Sequence, residues 1–156
     1  MEGLSPIRFG SLSFTTNSLG PNDPKVGDEV ASGNDQYRFV YNAGNSAIVP
    51  SRGVTLSAVS GYSVTVSTTT SVDLPVGICK HATISTGYYG YVLTKGFVVV
   101  KMGANASAAA GQLLVPADDG AFALKASGIG NTSPAVLKTM EAIASGASGM
   151  AFVSLL

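Results

Sequence analysis

The sequence predicts an all-β protein: a small antiparallel β-barrel or β-sandwich preceded by an extended N-terminal arm. Short runs of β-branched and aromatic residues recur along the chain, and turn residues separate them at close intervals. The 156 residues include 19 glycines, which supply much of this punctuation. Short strands at such spacing are typical of antiparallel barrels and sandwiches. We divide the chain into the arm, residues 1–24, and a β domain, residues 25–156.

The arm differs in composition from the rest of the chain. It contains three prolines, which block regular strand pairing, and isolated apolar residues without a stable period. Ile7, Phe9 and Phe14 are costly to leave in water, so we expect them to dock on a neighbouring subunit. The alternative is an ordinary unstructured terminus.

Five short strands are predicted between the arm and the centre of the chain. Turn residues at 32–35 and 42–45 separate the first three of them. In the last strand Tyr62, Val64 and Val66 should face inward, and Ser63, Thr65 and Ser67 outward. The predicted strands are Val26–Val30, Tyr37–Tyr41, Ala47–Val49, Val54–Val59 and Tyr62–Ser67.

The central segment, Val76–Lys101, holds the densest run of strand-forming residues. Both faces of its tyrosine-rich part are apolar, which indicates a strand covered on both sides. The residues Thr94-Lys95-Gly96 predict a turn or a bulge, after which Val98, Val100 and Met102 form one apolar face. Tyr89 and Tyr91 are predicted in the core, whereas Tyr88 is the better candidate for an interface contact.

The composition argues against nucleic acid and anionic membranes as partners. Charged residues make up 12% of the chain, against about 25% in an average protein, and nine Lys and Arg balance nine Asp and Glu. Phosphate backbones and anionic membranes both favour an excess of positive charge, so we expect neither nucleic acid nor membrane as a partner. The low charge fits a surface covered by other subunits, or an ordinary β domain rich in hydroxyl groups.

The sequence offers few groups for catalysis, and we expect no enzymatic activity, no metal and no cofactor. Cys79 and His81 could form a nucleophile–base pair, but a buried cysteine beside a histidine at a strand end is the simpler interpretation. Asp118-Asp119 precedes Gly120 between two apolar runs, which predicts a hairpin turn rather than a calcium loop. With one cysteine and no secretory signal at the start, synthesis in a reducing cytoplasm is expected.

Several segments in order resemble the capsid decoration (cement) proteins of tailed bacteriophages. These are a strand ending near Gly77-Ile78 followed by "GYYGYV", then "AAAGQLLVPADDGAF" from Ala108 to Phe122, then "ASGASG" and a closing apolar strand. Upstream, Val26 to Ile48 is similar to the entry hairpins of such proteins. The resemblance implies a small β domain, often a homotrimer, that binds the major capsid protein on the outside of the virion. The candidate subunit or capsid contacts are Ile7, Phe9, Phe14 and Tyr88.

Two alternatives remain open in the sequence. Residues 134–144 begin at the proline of the pair Ser133-Pro134, an N-cap signal, and carry a helical apolar stripe. The order of elements in the resembling proteins instead implies a strand, which we predict. For function, the alternative is a carbohydrate- or receptor-binding β module from a head fibre or tail. The absence of tryptophan counts against sugar binding.

Overall fold

The computed structural model describes residues 12–57, 61–67, 75–125 and 136–155, so Ile7 and Phe9 lie outside the described residues. Throughout these ranges the chain is all-β, with one 3-10 turn at Asp118–Gly120. The all-β prediction is therefore confirmed. The strands are β1 (Glu29–Ser32), β2 (Asp35–Asn42), β3 (Gly53–Leu56), β4 (Ser63–Val66), β5 (Pro75–Ile78), β6 (Tyr89–Lys101), β7 (Leu114–Pro116), β8 (Phe122–Leu124), β9 (Val136–Thr139) and β10 (Ser148–Ser154).

Five strands close into a barrel, which we call the first barrel. Its order is β2-β4-β3-β5-β6, and β6 pairs back onto β2. The β2–β4 pair is parallel, so the expectation of a purely antiparallel arrangement is wrong for this pair. Small and β-branched side chains from around the ring converge on one interior cluster, as a small barrel requires. Its members are Val40, Ile48, Val54, Val64, Val66, Cys79, Ile84 and Val92.

Strand β6 runs unbroken for 13 residues, so a bulge and not a turn occupies Thr94-Lys95-Gly96. On β2, Tyr37 pairs with Leu93 and its neighbour Gln36 pairs with Lys95, which leaves Thr94 as the extra residue. A bulge of one residue reverses which face each later side chain takes. Consequently Leu93 before the bulge and Val98 after it belong to the same apolar cluster.

The second half of β6 belongs to another ring, which we call the second barrel. It pairs with β10, and β10 pairs with β9. The hairpin β7–β8 completes the ring through two single bridges, Leu113 to Lys138 and Met102 to Phe122. The order is therefore β6-β8-β7-β9-β10, which repeats the strand order β2-β4-β3-β5-β6 of the first barrel.

The two barrels are related by an internal duplication with an offset of about 60 residues. Residue 40 of the first barrel corresponds to residue 100 of the second, and residue 90 to residue 149. Strand pairs, the parallel contact and single bridges recur at equivalent positions. Val40↔Gly90 corresponds to Val100↔Gly149, Asn42↔Val64 to Met102↔Phe122, Gly53↔Ile78 to Leu113↔Lys138, and Ile48↔Ile84 to Ala108↔Ile143. Since so many non-local pairings coincide, the described strands β2 to β10 form two copies of one barrel pattern that share β6.

The two barrel interiors are filled by different side chains, and a larger side chain at one position is offset by a smaller one at another. Phe122 stands where the first barrel has Val64, while Ala108 stands where it has Ile48. Phe122 is fully buried, and its Cζ lies 2.7 Å from where a Cβ on Gly53 would be. Close packing of this kind requires that a larger side chain be matched by smaller neighbours. A second apolar cluster combines this interior with the outer face of β2 and β6 in the first barrel.

Several predicted elements need correction. The first strand begins at Glu29 and not at Val26, because the chain turns at Gly27, whose φ is 98°. The predicted strand Ala47–Val49 is reduced to one bridge, from Ile48 to Ile84. Ser67 is buried and not outward, because the backbone N–H of Gly120 donates to its carbonyl and the hairpin turn covers it.

Other predicted elements are confirmed. The Asp-Gly hairpin is the pair β7–β8. Val136–Thr139 is a strand and pairs with β10, so the helical interpretation of this part is wrong. The apolar stripe arises because Leu137 and Ile143 both fill the second barrel's interior, one from the strand and one from the following loop.

Candidate interaction surfaces

The described part of the N-terminal arm lies on the first barrel. Thr16 and Tyr89 exchange backbone hydrogen bonds of 3.2 and 2.7 Å. The ring of Phe14 stacks on that of Phe39, with centroids 6.5 Å apart, and Leu12 packs against the same cluster. Phe14 nevertheless keeps 36% of its surface exposed. The side chain therefore covers its own domain with one face and presents the other to solvent.

Tyr88 is half-buried and packs against the first-barrel interior, whereas Phe14 packs against the other cluster. The structure thus places these two predicted contact residues on different clusters. Tyr91 is buried, as predicted, and Tyr89 packs on the cluster edge between Phe39 and Tyr41. Tyr91 therefore lies in the core, while Tyr88 and Tyr89 are only partly buried.

A polar network that the sequence pattern did not reveal lies beside the β6 bulge. The carboxylate of Asp35 accepts hydrogen bonds from Lys80 Nζ (2.5 Å) and the Tyr37 hydroxyl (3.1 Å). The Tyr37 oxygen also lies 2.9 Å from His81 Nε2. Asp35 and Lys80 are 45 residues apart, so only the folded barrel brings the charges together.

The network shifts the pKa values of its members. Burial acts to raise the pKa of Asp35, but hydrogen bonds from Lys80 and Tyr37 outweigh burial and the pKa is lowered. The pKa of Tyr37 is raised, by burial and by its hydrogen bond to Asp35. The pKa of His81 is lowered, first by burial and then by the nearby Lys80 ammonium. The folded protein therefore favours charged Asp35 and neutral His81.

The lowered pKa of His81 predicts a loss of stability in mild acid. Below the ordinary value of 6.5 the unfolded chain binds a proton that the folded chain still resists. The free energy of unfolding should thus be constant above pH 6.5 and fall as pH drops through the folded pKa. Urea titrations at pH 8, 7, 6 and 5 measure this, and His81→Asn should flatten the profile. Stability that rises as pH falls from 7 to 5 would show that the sign is wrong.

The cysteine–histidine pair does not form a nucleophile and base. The Cys79 thiol is fully buried and donates to the carbonyls of Ala82 and Ile48. Burial raises the pKa of this thiol to about 12, so the thiolate needed for nucleophilic attack is scarce at neutral pH. His81 is directed to Tyr37 instead.

Asp118 and Asp119 lie in the turn of the β7–β8 hairpin. Asp119 forms a 3.4 Å ion pair with Arg52, and its carbonyl accepts a second bond from the same guanidinium. Within the described ranges, no three His, Cys, Asp or Glu side chains cluster in a way that could hold a metal ion. The same ranges contain no helix of the length and apolarity needed to cross a membrane.

An exposed apolar surface lies on the outside of the second barrel, and sequence reasoning missed it. We call it the second-barrel face, and it consists of Phe97, Val99, Met140, Met150 and Phe152. Phe97 and Val99 alternate with the inward-facing residues Val98 and Val100. The run of apolar residues on both faces of β6 and β10 was the available signal. A strand with one face in water normally alternates apolar and polar side chains.

Comparison with solved structures gives a match of fold. The chain is similar to the structure described as "head fiber gp8.5 N base in bacteriophage phi29", with a TM-score of 0.50 and 13% sequence identity. The match covers 76% of this chain and 92% of the other. No protein-family model matches the sequence, and no curated protein matches it. The similarity thus concerns the β architecture of the chain.

Proposed function

We propose that this chain is a structural protein of a tailed-phage head. The observation that carries the proposal is the fold shared with the base of a phage head fibre, over most of both chains. The segments that resemble phage decoration proteins support the same assignment independently of the fold. The protein would be made in the host cytoplasm and incorporated into the virion.

Within this class we propose a decoration (cement) role. The protein would bind the major capsid protein on the outside of the head as an oligomer, so that several weak contacts act together. A homotrimer fits the local threefold axes of a shell. Linked contacts raise avidity because the second and third become intramolecular. The balanced charge of nine basic and nine acidic residues supports protein partners over nucleic acid or membrane.

The proposed role is non-enzymatic. The pairings found for Cys79, His81 and the hairpin aspartates are structural, as described above. A second candidate is a carbohydrate- or receptor-binding component of a head fibre, which the identity of the matching structure favours. In that role this chain itself would contact the sugar or the receptor.

Co-sedimentation with phage heads tests the proposal. Purified protein should bind heads of the phage that encodes it in a saturable way, and should raise the temperature at which the heads lose their DNA. A glycan array separates the two candidates, since a cement protein need bind no sugar. Absence of binding to heads that lack their own copies of this protein would overturn the proposal.

A further inference from the structure

The N-terminal arm and the first barrel meet in a compact contact at the start of β6. Thr16 forms a bridge with Tyr89, through backbone hydrogen bonds of 3.2 and 2.7 Å in the two directions. Phe14 covers the ring of Phe39, which has no exposed surface, and Leu12 packs against the same cluster. The barrel therefore needs an arm at this site, because an aromatic ring and unpaired backbone groups would otherwise face water.

The linker that joins the arm to β1, residues 17–28, lies mostly at the surface. Its first half, residues 17–22, is exposed throughout. The turn within it is closed from the backbone N–H of Gly20 to the Asp23 carboxylate at 2.7 Å, and from the N–H of Asp23 to the Gly20 carbonyl at 3.2 Å. Water can replace such bonds at little cost. The linker can therefore open without disturbing the barrel, and a linker of this length spans about 40 Å when extended.

Two apolar side chains of this region remain exposed when the arm lies on its own barrel. Phe14 is 36% exposed, and Leu19 in the linker is 38% exposed. If the linker instead crosses from one copy of the chain to the next, the two copies meet around it, and both side chains lie close to the junction. Burial of this apolar surface favours the crossing over the arrangement within one chain.

We propose that the arm is exchanged between copies of this chain, so that residues 12–16 of one copy occupy the site at Phe39 and Tyr89 on the first barrel of the next. The exchanged contact is the same one that the arm makes within a single chain, and exchange of an identical element is a low-cost route to an oligomer. The arm and its receiving site are different surfaces, so the copies close into a ring when the rotation permits, as in a trimer. The inference rests on the oligomer of the proposed function and locates its joint.

Disulfide trapping in the full chain tests the exchange. Because Thr16 and Tyr89 share both backbone hydrogen bonds, their Cα atoms lie about 5.5 Å apart, a separation that a disulfide spans. Thr16→Cys and Tyr89→Cys are made as two separate proteins, each with Cys79→Ala to remove the free native thiol. The two are unfolded together in urea, refolded as a mixture and oxidised. We expect a covalent product that contains one chain of each kind, in larger yield than either variant forms alone.

The pair Ala31→Cys and Gln36→Cys is the matched control. These residues face each other across the β1–β2 hairpin, whose short turn keeps both strands in one chain. Mixed single variants of this pair should therefore give no covalent product of two chains, while a protein carrying both substitutions should close its disulfide internally. Circular dichroism checks that every variant is folded before oxidation.

A protein carrying both Thr16→Cys and Tyr89→Cys separates the two arrangements. An internal disulfide in this protein, together with no cross-link in the mixture of single variants, would show that the arm stays on its own barrel and would overturn the proposal. A wild-type monomer at all concentrations, measured by light scattering, would overturn it as well. Exchanged arms in a protein that fails to bind heads would refute only the proposed function, whereas head binding without exchange would refute this inference alone.

Discussion

Replacing Phe122 by alanine should lower the free energy of unfolding by about 3–5 kcal/mol, the usual cost of removing a buried phenyl ring. Phe122 is fully buried, bridges to Met102 just after β6 and reaches Gly53 of the first barrel. Its loss would open a cavity between the two barrels as well as within the second. Urea unfolding followed by circular dichroism measures the effect.

The matched control for this substitution is Leu124→Ala. Leu124 lies on the same strand, β8, but is 39% exposed, so its truncation should cost under about 1 kcal/mol. If the two variants lost the same stability, the ring of Phe122 would not fill the second barrel as described. A loss confined to Phe122→Ala supports the shared core.

Replacing Gly96 by alanine should cost about 2–4 kcal/mol, from backbone strain and steric overlap together. Gly96 follows the bulge with φ at 135°, a conformation that residues with a side chain rarely adopt. A Cβ there would lie 2.0 Å from Oδ1 of Asp35. The substitution should therefore displace the Asp35 carboxylate from Lys80 and Tyr37 as well as strain the chain.

Gly33→Ala measures the cost of a Cβ at a milder positive φ without steric overlap. Gly33 has a positive φ of 61° in the β1–β2 turn, and nothing lies within 4 Å of its added Cβ. We expect this control to cost about 1–2 kcal/mol. Equal losses in both variants, measured by urea unfolding, would mean that the contact with Asp35 contributes nothing.

Much of the fold was predictable because local chemistry determines it. Asp-Gly between apolar runs predicted the hairpin β7–β8, and the alternation of Val64 and Val66 with polar residues predicted β4. The bulge was predicted only as one of two options. A turn and a bulge place similar demands on Gly96, and the choice depends on pairing with β2 and β10, which local sequence does not specify.

The interaction surfaces were less predictable, because they depend on which apolar residues remain uncovered. Phe97 and Val98 are equally apolar in the sequence, yet Val98 is buried and Phe97 is 49% exposed. The phase reversal at Thr94 decides between them. Similarly, the network of Asp35 and Lys80 depends on barrel closure and has no local signal.

Amide hydrogen exchange tests the two-barrel architecture most directly. The N–H of Gly103 donates to Phe122 and that of Thr139 to Gln112, both at 2.9 Å, and these bonds close the second barrel. Their equivalents in the first barrel are Ala43 to Val64 and Cys79 to Arg52, also at 2.9 Å. We expect slow exchange at all four amides. Protection of Ala43 and Cys79 with free exchange at Gly103 and Thr139 would contradict a second closed barrel.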